Sequence, residues 1–417
     1  MLETEKDQKL TVLGKTFNSE EERINYFRNE LRKKLPELKQ MEGFPIGEDE
    51  DILNLSDPPY YTACPNPWLN DFVTEWEEEK KQLEKEGTRS SDLLVDVPYA
   101  ADVSEGKYHP VYRKHPYHTK VPHISIMKFI LHYTQPGDII LDSYAGTGMT
   151  SLAAKFCGIT DQKTKSTIEK TNFNKNIFSW GTRNSISIDL SSAACFIANA
   201  YNSKIDLIKF ENESTQIINQ IEESLGWMYK TTHSENQYGT INNVAWSDVF
   251  QCSNCQSEIV FWDAAANEIT GEIKNEFACS HCGTIHTKRK IERIWITKLD
   301  AVSGTTIKEI KRVPVLINYT YNSKRRLKKP DNKDIELLEK IENEKFKFWV
   351  PNNEIPRGDK TGEPLRIGIN QIHQFYFTRA LHVLSKYNNK ASTAILKALL
   401  TVVAFRINKR YGLTYQS

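Results

Sequence analysis

Long apolar runs are missing from this 417-residue sequence, and none approaches the roughly 20 residues that span a bilayer. The opening MLETEKDQKL is charged and lacks the apolar core of a secretory signal. No membrane partner and a cytoplasmic location are therefore expected. Net charge is scarce as well, at +1, so the total argues neither for nor against a nucleic-acid partner, and local charge has to decide. No internal repeat is found. Cysteine is sparse, seven in all, but four stand in two close pairs, Cys252 with Cys255 and Cys279 with Cys282. In a cytosolic chain such pairs read as metal ligands before disulfides. Cys64, Cys157 and Cys195 stand alone and read as small core residues. Hydrophobic residues at 39% and charged residues at 26% allow a buried core, over a length that holds two or three domains.

Residues 19–35, SEEERINYFRNELRKKL, open on Ser19 and Glu22, the spacing of a capping box. Ile24, Phe27, Leu31 and Leu35 then share one face, which predicts a packing helix. A second amphipathic helix is predicted over 68–86, through Trp68, Phe72, Val73 and Trp76, with a surface loop at 87–92. From 118 onward, HTKVPHISIMKFILHYTQPGD predicts an extended lead-in and a helix that buries Met127, Ile130 and Leu131. The strand DIILD (138–142), a helix ending at Gly158, a polar insertion (160–183), the strand SISID (185–189) and the helix SSAACFIANAY follow. This strand–helix–strand–helix order implies a parallel α/β sheet. A helix over 210–226 is expected to face Ile217, Ile218, Ile221 and Leu225 inward. Strand-rich sequence fills about 240–322, a charged linker 323–348, and two helices, near 371–388 and 390–408, complete the pattern. The expected organisation is an N-terminal helical region (1–117), an α/β core (118–230), a strand-rich insert (240–322), and a linker with C-terminal helices (323–417).

The stretch LDSYAGTGMTSLAAKFCG, 141–158, turns from strand to helix through Gly146 and Gly148. Glycine there permits positive φ and a close approach of ligand to backbone, and the helix start adds free N–H groups. Asp142 at the strand end would repel a phosphate and suits a cation, such as the ammonium of S-adenosylmethionine. Asp189 ends the next strand, a common place for a carboxylate that accepts from ribose hydroxyls.

LDSYAGTGMTSLAA resembles the cofactor motif of the amino-group DNA methyltransferases, which methylate adenine N6 or cytosine N4. The preceding HTKVPHISIMKFILHYTQPGD resembles the segment that covers the methionine part of the cofactor. The resemblance is nearest to adenine-specific DNA methylases that carry a zinc ribbon. It implies an α/β, Rossmann-like methyltransferase sheet with an inserted strand-rich zinc ribbon. It also implies cofactor contacts from Lys120, Pro122, Asp142, Tyr144, Ala145, Gly146, Thr147, Gly148 and Asp189. In such enzymes a D-P-P-aromatic loop accepts hydrogen bonds from the target NH2 and stacks on the flipped base. Asp57-Pro58-Pro59-Tyr60 supplies that tetrapeptide as the candidate catalytic loop. Only 57 residues separate Tyr60 from His118, and no second such loop follows residue 60. A strand presenting this loop is also missing after Asp189. The sheet is therefore expected to be incomplete, with a second polypeptide as carrier of the remaining half.

The cysteine pairs enclose 23 residues and suit one tetrahedral zinc held by Cys252, Cys255, Cys279 and Cys282, a structural site with no open position. His281 and His286 are expected to stand aside. Residues 286–329 hold thirteen Lys or Arg against three Asp or Glu, with Trp295, Tyr319 and Tyr321 interspersed, a surface expected to meet double-stranded DNA. Adenine N6 methylation of DNA is thus the expected activity. A non-catalytic cofactor- and DNA-binding half, and an RNA methyltransferase of the same fold, are the alternatives.

Overall fold

The computed structural model describes residues 10–406, apart from 91, 94, 96, 101, 104, 105, 116, 118, 171–177, 268–271 and 360. For residues 394, 395, 405 and 406 only the backbone is described. The chain forms two compact units, Met1–Asp206 and Leu207–Ser417.

The first unit opens with a hairpin, β1 (Leu10–Val12) and β2 (Lys15–Phe17). Helices α1 (Glu20–Leu38), α2 (Asp49–Leu55) and α3 (Leu69–Lys85) pack on it. Their shared core holds Phe17, Phe27, Leu31, Leu35, Leu53 and Trp68. The α1 cap differs from expectation in one bond. Ser19 Oγ accepts from Glu22 N, but the Glu22 carboxylate reaches back one residue further, to Asn18 N at 2.7 Å.

After α4 (Pro110–Lys114) comes α5 (His123–Tyr133), which buries Met127, Ile130 and Leu131. Strand β3 (Ile139–Asp142), α6 (Met149–Ile159), α7 (Gln162–Lys170), β4 (Asn184–Ser187) and α8 (Ser192–Asn202) follow. Strands β3 and β4 pair in parallel from Ile139↔Asn184 to Asp142↔Ser187. Among the described residues this parallel sheet has two strands. The polar insertion contains a helix that was not expected, α7, anchored by Ile168 in the core beneath α5 and α6.

In the second unit, α9 (Leu207–Leu225) buries Ile217 but leaves Ile218 53% exposed, a correction to its expected inward face. The sheet starts earlier than expected, with β5 (Lys230–Ser234) and the long β6 (Gln237–Gln251). Then come β7 (Glu258–Val260), α10 (Phe261–Ala265), β8 (Glu276–Ala278), β9 (Ile285–Thr287) and β10 (Glu292–Arg293). The hairpin β11 (Trp295–Leu299) and β12 (Thr306–Ile310) precedes β13 (Arg312–Tyr321) and β14 (Lys324–Lys328). Strand order in the main sheet is β10–β6–β13–β14. The expected linker 323–348 is thus largely ordered structure: β14 pairs with β13, and α11 (Asn332–Glu342) closes a capping box between Asp331 and Asp334. The short α12 (Gly362–Arg366) leads to α13 (Thr378–Lys390) and α14 (Ala394–Arg406). Leu396 of α14 packs with Ile217, Tyr387 and Ala391, so α9 and α13 cover part of that apolar helix. Residues 407 and 408 of the expected last helix lie outside the described residues.

Candidate active site and metal centre

The glycine turn lies at the carboxyl ends of β3 and β4. Gly146 has φ +52° and Gly148 φ +73°, both left-handed, so each position favours glycine. The Asp142 carboxylate is held by two bonds, from Tyr144 N at 3.1 Å and from Thr150 Oγ1 at 2.6 Å. Asp189, on the neighbouring strand's continuation, accepts from Gly146 N at 2.8 Å and Ser191 N at 2.8 Å. Ala145 N also donates to Ile188 O. The two carboxylates, 47 positions apart in the sequence, therefore frame one turn. Thr147 is buried, and its Oγ1 has no hydrogen-bond partner among the described residues. Tyr144 is 90% exposed. A Cβ built on Gly146 would come within 3.0 Å of the Tyr117 ring, which overlies the turn.

Pro122 caps the start of α5. Lys120 turns its ammonium to the carbonyls of Tyr112 (2.8 Å) and His115 (3.2 Å), and burial pulls its pKa down to about 8. Its neighbour His123 is buried against His109, and burial lowers its pKa to about 4.

Asp57, Pro58, Pro59 and Tyr60 form a turn between α2 and α3, with the Pro58–Pro59 peptide cis. Backbone bonds between Asp57 and Tyr61 run in both directions and close it. Asn66 Nδ2 donates to Pro59 O at 2.8 Å. The remaining acceptors meet a residue that sequence reasoning missed. Arg23 of α1 donates to Asp57 Oδ1 at 2.7 Å and to Pro58 O at 2.6 Å. Its guanidinium carbon lies 5.0 Å from the Tyr60 ring centroid. Arg23 sits in the first turn of an amphipathic helix, where sequence alone reads a solvated charge. Beside the glycine turn, the Cys195 thiol donates to Asp189 O at 3.4 Å.

The four paired cysteines converge. Their sulfurs all lie within 4.8 Å of one another, with Cys252–Cys282 at 3.6 Å and Cys255–Cys279 at 3.7 Å. A tetrahedron with metal–sulfur bonds of about 2.3 Å has edges of about 3.8 Å, so the cluster fits zinc. Each pair uses the same turn. Gln256 N donates to Cys252 O and Cys252 N to Ser257 O, while Gly283 N donates to Cys279 O and Cys279 N to Thr284 O. Hydrogen bonds from the Thr284 hydroxyl and amide pull the Cys282 thiol down to about 5. His281 is exposed, and His286 lies outside the four-sulfur cluster, with its Nε2 3.3 Å from Cys252 Sγ.

The basic stretch is less uniform than expected. Arg293 and Arg312 flank Asp248, Lys311 meets Glu258, Lys298 meets Glu309 and Glu342, and Lys328 meets Asp331 and Asp334. Tyr319 is buried and Tyr321 stacks on His233, leaving Trp295 as the well-exposed aromatic of the three. Lys324, Arg325 and Arg326 stand exposed on the edge strand β14.

Both the Asp57–Tyr60 loop and the glycine turn fall inside one region of similarity to known proteins. Residues 6–200 match the DNA methylase family model for N6/N4 methyltransferases. The match covers a little under half of the chain and marks a similarity to N6-adenine/N4-cytosine DNA methyltransferases over that region. It ends ahead of the cysteine pairs. No curated protein and no solved structure matches the chain. Among the described residues, no helix is long and apolar enough to cross a membrane.

Proposed function

We propose that this chain is an S-adenosylmethionine-dependent DNA amino-methyltransferase acting on adenine N6 in preference to cytosine N4. The observation that carries the reading is the bond from Gly146 N to Asp189 Oδ2, which ties the left-handed glycine turn that follows Asp142 to the second carboxylate at the same sheet end. The residues fit the cofactor. Asp142 and Asp189 keep lone pairs beyond those their bonds use, and the unpartnered Thr147 hydroxyl lies in the same turn. Asp142 would take the ammonium and Asp189 the ribose hydroxyls, with the backbone of 144–148 as the floor and Lys120 and Pro122 on the side of the methionine moiety. The cofactor supplies an activated methyl group on sulfonium.

On the base side, Asp57 Oδ1 and Pro58 O would accept from the target NH2 and raise electron density on its nitrogen. Tyr60 would stack on the extruded ring, an arrangement whose benefit is positioning. Cys252, Cys255, Cys279 and Cys282 would hold one structural zinc, closed to other ligands. Restriction or modification of DNA in the cytoplasm is the setting this activity suits. The test is calorimetry with S-adenosylmethionine, joined to tritiated methyl transfer onto unmethylated DNA and onto transfer or ribosomal RNA. Binding with transfer to DNA supports the reading, and the absence of cofactor binding defeats it.

A second reading has its own observation. Leu141, Ile188 and Leu190 are 64%, 51% and 104% exposed around the two parallel strands. Parallel sheets are ordinarily covered on both faces. The chain would then be the cofactor-binding half of an enzyme whose remaining strands lie on a second polypeptide.

A further inference from the structure

Arg23 is only 3% exposed, and each nitrogen of its guanidinium has one acceptor. Nη1 donates to Pro58 O at 2.6 Å, Nη2 to Asp57 Oδ1 at 2.7 Å and Nε to Glu20 Oε2 at 2.7 Å. The first two acceptors are those that a target amino group would use, and the Tyr60 ring lies 5.0 Å away. A guanidinium is planar, presents paired in-plane N–H bonds and stacks on aromatic faces. An adenine amino edge offers the same pattern: paired in-plane N–H donors beside a stacking plane.

We propose that Arg23 is an internal mimic of the substrate amino group, and that it blocks the Asp57–Tyr60 loop until it withdraws. The inference rests on the reading of that loop as the base site. The surroundings permit the exchange. Glu20 is 57% exposed, so Arg23 can leave the loop and stay paired through Nε. Arg28 holds the lead-in independently, donating to Ser56 O at 3.0 Å and Asn54 O at 3.4 Å. The loop's attachment to α1 thus survives the departure of Arg23. Tyr60 is 52% exposed and stacks on Phe72, with ring centroids 5.7 Å apart, so withdrawal of Arg23 frees ring surface for a base.

The test compares the affinity of the full chain for duplexes carrying a bulged adenine or a bulged purine that lacks the amino group. A bulged base costs little to extrude. Arg23→Met removes the donors while keeping an unbranched apolar stem, and should bind the adenine duplex at least about fivefold tighter than the purine duplex, the effect of about one net hydrogen bond. The wild type should discriminate little. Arg23→Lys, which keeps the charge but replaces the planar fork with a single nitrogen, should discriminate to an intermediate degree and covers the case in which Arg23→Met does not fold. Discrimination in the wild type as strong as in the variants overturns the mimic and leaves the loop as base site. Discrimination that persists when Asp57→Ala is added to Arg23→Met defeats the loop reading itself. No discrimination in any variant overturns both.

Discussion

Gly146 and Gly148 stand two residues apart, yet a methyl group added at each meets different neighbours. At Gly148 a Cβ would lie 2.6 Å from the Ala198 Cβ and 3.0 Å from its Cα, a packed helix with nowhere to go. Gly148→Ala should therefore cost about 2–4 kcal/mol of stability in a urea titration, from overpacking plus the left-handed φ. At Gly146 the neighbour is the side chain of Tyr117, which can turn aside. Gly146→Val should leave the fold largely intact and remove cofactor binding by calorimetry; unchanged affinity sinks the assignment of this turn. His123 carries a second prediction. Its folded pKa, about 4, lies below the ordinary histidine value of 6.5, so the unfolded chain binds the proton first as pH falls. Stability should hold above pH 6.5 and decline between pH 6.5 and 4, by up to about 3 kcal/mol. His123→Phe should flatten that slope; an equal slope in wild type and variant would show that other groups cause it.

The two cysteine turns test what one element demands of its residues. Gln256 takes φ +63° where its counterpart Gly283 takes φ +71°. A Cβ at Gly283 would meet nothing within 4 Å, so Gly283→Ala isolates the backbone cost, about 1 kcal/mol. Gln256→Gly should move stability the other way by a similar amount. Elemental analysis should find about one zinc per chain, and chelation should loosen the core around Phe250, Phe261 and Phe277, which shares Cys252 and Cys279 with the site. Metal-free protein with four freely titrating thiols would remove the site. These turns were legible because CxxC spacing encodes them locally. Helix α7 was not: in QKTKSTIEK a single apolar residue, Ile168, does the anchoring, and one residue makes no period. Strand β14 was read as linker because KRRLK has no alternation, and its pairing is decided by β13. In α9 the buried stripe runs through Phe210, Ile217 and Ile221, which leaves adjacent Ile218 off the face.

At the scale of the whole molecule the question is what covers the two parallel strands β3 and β4. Sequence order gave β3, α6, β4 and α8 correctly, because apolar strand cores and glycine punctuation sit within each segment. It could not tell which acceptors of the Asp57–Tyr60 loop Arg23 would take, since that contact spans 35 positions. The apolar helix α14 is covered in part by α9 and α13. Apolar side chains also stand exposed around the two parallel strands, at Leu141, Ile188 and Leu190. Two parallel strands give little cooperative stability by themselves. If a second chain supplies the missing strands, the isolated protein should bind S-adenosylmethionine weakly and transfer no methyl group to DNA. Leu141→Lys should then leave its folding unchanged while preventing activation by that chain. Robust DNA methylation by the isolated protein, lost on Asp57→Ala, would instead make Asp57–Tyr60 a working catalytic loop in a sheet that needs no partner.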